Sequence, residues 1–91
     1  MHATSAQATA LTDLSNLAAE MAALGFQPTL NNPPDGLPCL VVRNPQARAL
    51  TETVHARDGR FWWSWREPIT PCDQPVAAAA ILARVLRTAG E

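Results

Sequence analysis

His55 and Trp62, with Arg57 and Arg60 between them, are the residues whose types and spacing could do chemistry. Tryptophan offers a flat contact area at low entropic cost. Arginine offers a two-pronged fork of N–H donors that matches a carboxylate or a phosphate. Asp58-Gly59 lies between the two pairs and is a favoured two-residue hairpin turn, because a type I′ turn needs φ > 0 at both central positions. With that turn Arg57 faces Arg60, Ala56 faces Phe61, His55 faces Trp62 and Val54 faces Trp63, and Thr53 would face Ser64. Side chains alternate between the two faces of a sheet. One face then carries Val54, Ala56, Phe61, Trp63 and Trp65; the other carries His55, Arg57, Arg60 and Trp62. A slip of one residue would bury His55 and both arginines together, which argues for this register. Trp63 and Trp65 are expected to be core, and Trp62 to stand on the wet face. There Trp62 either serves recognition or is covered by a neighbouring strand, the N-terminal tail or a second subunit.

Other chemistry is poorly supported. Cys39, Cys72, His2 and His55 lack the spacing of a metal site, so no metal or cofactor is expected. A cysteine nucleophile would need a base, an orienting group and an oxyanion hole. Cys39 opens a strand expected to be buried, where thiols are inert. Glu52 and Glu67 read as charged rim residues, with Arg66 or Arg43 as candidate partners for Glu52. The four glycines form no phosphate-binding loop. The chain is therefore expected not to be an enzyme.

The elements that must position the hairpin are legible from periodicity. Residues 1–8 are small and polar and read as a disordered tail, leaving 9–91 as a single domain. Leu11, Leu14, Leu17, Met21 and Leu24 recur at helical steps, and Gly25 ends the helix. Phe26–Leu30 reads as an edge strand because it holds Pro28. Asn31–Pro38 is a loop, and Cys39–Arg43 a buried strand. Ala49–Arg57 and Arg60–Arg66 form the hairpin. Glu67–Cys72 reads as irregular because Pro68 and Pro71 restrict it, with Ile69 plugging the core. Asp73 suits an N-cap for a second helix whose apolar stripe is Ala78, Ile81, Leu82, Val85 and Ala89, stopped by Gly90. The fold class is α+β: an antiparallel meander of three or four strands, flanked in sequence by two helices that cover one sheet face.

Ninety-one residues with a net charge of −1 do not suit a nucleic-acid binder that relies on a broad basic surface. All seven basic residues are arginine and alanine is abundant, the coding bias of a GC-rich genome. No secretory leader and no apolar run long enough for a bilayer is visible, so a cytoplasmic location without membrane contact is expected, with two free thiols.

The run Asp58-Gly59-x-Phe61-Trp62-Trp63-Ser64-Trp65, then Pro68-Ile69, then Asp73-x-Pro75 and an alanine-rich helix ending Ala83-Arg84-Val85-Leu86, resembles a group of small uncharacterised actinobacterial proteins. Leu40-Val41-Val42-Arg43-Asn44-Pro45 fits the same group. Its members are often encoded near helix-turn-helix transcription regulators. The resemblance covers about two-thirds of the chain and carries no catalytic residues. It implies an accessory protein of a regulatory locus. The expected function is a non-enzymatic protein–protein interaction, through another chain or a homodimer. The alternative is a small-molecule binding module. Either would use Trp62, His55, Arg57 and Arg60.

Overall fold

The structure, a computed structural model, describes residues 2–34 and 36–88. The order is α1 (His2–Ala23), β1 (Gln27–Asn31), β2 (Cys39–Asn44), β3 (Ala47–Arg57), β4 (Arg60–Trp63), β5 (Pro68–Pro71) and α2 (Pro75–Thr88). The strands form one antiparallel meander in chain order, and both helices pack on it. The α+β class holds, with a fifth strand beyond the three or four expected.

Helix α1 starts at His2 rather than near Thr9, so residues 2–8, expected as a disordered tail, are helical. Ala3, Ala6 and Ala8 are strong helix formers that extend the turns anchored by Leu14 and Leu17. The helix stops where Gly25 takes φ 92. Gly25 N–H donates to Ala22 O at 3.0 Å and Phe26 N–H to Met21 O at 3.1 Å, the paired bonds of a Schellman cap. Met21 and Phe26 are both core residues, so the cap also turns the chain into the sheet.

The β3–β4 hairpin has the expected register: Arg57 opposite Arg60, Ala56 opposite Phe61, His55 opposite Trp62 and Val54 opposite Trp63. Asp58 and Gly59 have φ 54 and φ 73, as a type I′ turn requires. The core face carries Leu40, Val42, Val54, Ala56, Phe61 and Trp63, packed against Leu14, Leu17 and Met21 of α1 and Leu82 and Leu86 of α2.

Strand β4 ends at Trp63, earlier than expected, so Thr53 and Ser64 are not partners. Arg66 N–H donates to Trp63 O at 3.0 Å, and Trp63 N–H to Glu67 O at 2.8 Å. Arg66 takes φ 70 to close this turn. The alternation stops there, and Trp65, expected in the core, is 51% exposed. It stacks on Trp63 with ring centroids 4.8 Å apart and planes 6° from parallel.

The chain then returns as β5, where an irregular segment was expected. Its prolines are tolerated because β5 is an edge strand; Pro28 lies in β1, the other edge. Ile69 packs against the core as expected. Two details of α2 differ from expectation. Gln74 O accepts the first helical bond, from Ala78 N–H at 3.1 Å, so Gln74 rather than Asp73 is the capping position and Pro75 is the first helical residue. The buried stripe is Ala78, Ala79, Leu82, Ala83 and Leu86, while Ile81 and Val85 are exposed. Alanine on several faces leaves this helix's rotation to be set by where Leu82 and Leu86 meet the sheet. Asn44 Nδ2 fixes the far end by donating to Leu86 O at 3.0 Å. Ala89 and Gly90, expected to close this helix, lie outside the described residues.

Glu52 stands opposite Val42, in phase with Val54, and is half-buried on the core side of β3. Among the described residues it pairs with neither of its two candidate partners: Arg66 makes no ion pair, and Arg43 lies on the opposite sheet face. Burial pushes its carboxyl above the ordinary value. Its ionised form is thus disfavoured in the fold, and that penalty grows as pH rises from the ordinary carboxylate range through the raised value. Glu52→Gln is expected to raise Tm at about pH 7, with the gain vanishing by about pH 4, where both chains carry a neutral group. Equal gains at both pH values in thermal unfolding would assign the effect to something other than the buried charge.

Candidate functional site: the uncovered sheet face

The strand positions out of phase with the core make the other face of the sheet. Gln27, Thr29 and Asn31 come from β1, and Cys39, Val41 and Arg43 from β2. Strand β3 gives Thr51, Thr53, His55 and Arg57, and β4 gives Arg60 and Trp62. Pro68 and Pro71 come from β5. None of these residues is buried, because both helices lie on the opposite side.

All four expected site residues are on this face, and three of them are gathered. Trp62 is half-buried, His55 is its cross-strand partner, and the Arg57 guanidinium lies 4.9 Å from the centre of its ring. Trp62 Nε1–H donates to Arg57 O at 3.0 Å. Its one polar group is thereby satisfied within the hairpin, and the ring presents apolar surface. The ring attracts the Arg57 guanidinium from that distance, and a guanidinium beside an aromatic ring can still donate its N–H groups to a carboxylate. Arg60 is exposed at the hairpin tip and does not line the depression around Trp62.

That depression is an open concavity of about 280 Å³ lined by Leu37, His55, Arg57, Trp62, Trp63, Ser64 and Arg66. Leu37 is 67% exposed. Leu37 and Arg66 were not expected at the site. Arg66 arrives only through the tight turn after Trp63, which no alternation pattern shows. Leu37 sits in a loop and reaches the hairpin by tertiary placement.

Cys39 is a further addition. Its strand was expected to be buried and its thiol free and partly buried; the thiol is free and half-buried, on the uncovered face directly opposite His55. Alternation within Cys39-Leu40-Val41-Val42 could have shown this, since Leu40 and Val42 are both core. Asn31, Cys39, His55, Trp62 and Pro68 are successive partners in one row across all five strands. No hydrogen bond joins Cys39 to His55 among the described residues.

Cys72 differs. It is buried, and its thiol is pushed up to about 12, first by burial and then by the charge and hydrogen bond of Asp13. Thiolate is the reactive form, so Cys72 is chemically quiet near neutral pH. Iodoacetamide at neutral pH is expected to modify Cys39 at least tenfold faster than Cys72, as read by intact mass and peptide mapping. Comparable rates would place Cys39 under cover and contradict an open face.

Among the described residues no three His, Cys, Asp or Glu side chains are grouped to hold a metal ion, and no helix is long and apolar enough to cross a membrane. His2, weighed as a metal ligand from the sequence, has a side chain outside the described set. The chain matches no family model, no curated protein and no solved structure.

Proposed function

We propose that this chain is a non-enzymatic interaction module that holds another protein through the uncovered face of its sheet, as a cytoplasmic accessory protein of a regulatory locus. One observation carries the reading: Trp62 stands half-buried on a face that no helix covers, with the Arg57 guanidinium near its ring and His55 beside it. Trp and Arg are the side chains most enriched in binding hot spots. Both edges of the sheet hold prolines, which obstruct pairing with an added strand, so the face rather than an edge is the contact surface.

The test is Trp62→Ala, expected to keep the fold and lose the partner recovered with the wild-type chain. A small-molecule role is the second reading, favoured by the concavity over Trp62. Its volume falls just below the ~300–1,000 Å³ usual for ligand pockets, which ranks it second. A thermal-shift screen separates the two, since a small ligand bound only by the native state raises Tm.

A further inference from the structure

Among the described strand residues the charges are sorted by face. No outward strand position carries a carboxylate, although the chain as a whole has more acidic than basic residues. Arg43, Arg57 and Arg60 are on that face, and Arg66 borders the concavity. Arg57, Arg60 and Arg66 form no ion pair among the described residues, though Asp58 and Glu67 are near them in sequence. Arg66 also holds φ 70, a backbone that a non-glycine residue adopts at a cost.

From this sorting we infer that the face binds an acidic segment of another protein, with carboxylates on Arg57 and Arg66 and one apolar side chain in the concavity beside Trp62 and Leu37. This rests on the face being the contact surface. Arg57 and Arg66 line the same concavity as Trp62, so charge and apolar contact are offered together. A second copy of this chain fits poorly, because a twofold contact through the face would set these arginines against their own copies. A single-stranded nucleic acid fits poorly as well. Such strands use several aromatics for successive bases, and this face offers one tryptophan. An isolated small anion would leave the apolar surface of Trp62 and Leu37 unused.

The probe is a fluorescein-labelled peptide of alternating Glu and Asp with one central Phe. Its controls are the same peptide with Lys for every acid and an oligothymidylate of equal charge. Fluorescence polarisation reads affinity, maleimide labelling of Cys39 reads cover of the face, and sedimentation reads self-association. The acidic peptide is expected to bind, to protect Cys39 and to weaken as salt screens the charges. Arg57→Gln with Arg66→Gln is expected to weaken it by about 10- to 100-fold, the usual effect of losing hydrogen bonds to charged groups. Arg57→Glu with Arg66→Glu should instead favour the Lys peptide, which a merely destabilised chain would not do.

Equal binding of the acidic and Lys peptides overturns the acidic occupant. So does oligothymidylate that binds as tightly and protects Cys39, or self-association that protects it without any peptide. In those three results the face remains a contact surface with a different occupant. Cys39 left unprotected by every probe, by self-association and by the protein recovered from the host overturns the contact surface itself.

Discussion

Trp63→Ala is expected to remove most of the chain's stability and leave it only marginally folded at room temperature, while Trp65→Ala leaves it well folded. Trp63 is 8% exposed and sits opposite Val54 on the core face, and Trp65 is 51% exposed and contacts the core through its stack on Trp63. Truncating a buried tryptophan costs about 3–5 kcal/mol, lost contacts and residual cavity together. A domain of this size has about 5–15 kcal/mol in all, and a small core places it toward the lower end. Truncating Trp65 forfeits a half-exposed ring and one aromatic stack, together about 1–2 kcal/mol. Urea unfolding of the two variants checks the ordering. Equal losses would mean that the strand runs on past Trp63 and that Trp65 shares the core.

Those two tryptophans also show how far the sequence could be read. The Asp-Gly turn and the alternation beside it gave the hairpin register residue by residue, because a two-residue turn leaves no slack. The Schellman stop at Gly25 was legible for the same kind of reason: a local sequence with one low-energy backbone solution. Trp65 was not. Its position depends on Arg66 taking φ 70, which no residue pattern announces. Strand β5 was missed because proline is read as a breaker, and only the edge position makes Pro68 and Pro71 tolerable. In α2 the expected stripe joined Ile81 and Val85 to Leu82, but the alanines around them give the helix several usable faces and of the three only Leu82 is buried.

The site divides along the same line. His55, Arg57, Arg60 and Trp62 followed from alternation and lie on the uncovered face as expected. Arg57 beside the Trp62 ring and the Nε1–H bond to Arg57 O depend on side-chain placement that alternation does not specify. Leu37, Arg66 and Cys39 enter through a loop, a turn and a neighbouring strand. Leu37 and Arg66 turn that row into a concavity lined by both apolar and basic side chains, and Cys39 stands beside it in the row opposite His55.

Trp62→Ala should separate binding from folding. Its ring is half-buried, and truncation removes one hydrogen bond and one cation–π contact. Such contacts are worth about 0.5–1.5 and about 0.5–1 kcal/mol. The expected cost is thus about 1–2.5 kcal/mol, well short of that for Trp63. At a contact surface the same ring would be a hot spot of about 2 kcal/mol or more, a loss of roughly 30-fold or greater in affinity. Thermal unfolding of Trp62→Ala, set beside its recovery of the host protein that the wild-type chain retains, tests the uncovered face as the functional surface. The predicted result is a cooperative transition lowered by no more than about 20 °C, with recovery of that protein lost. A variant that unfolds as badly as Trp63→Ala, or one that stays folded and retains the partner undiminished, would contradict it.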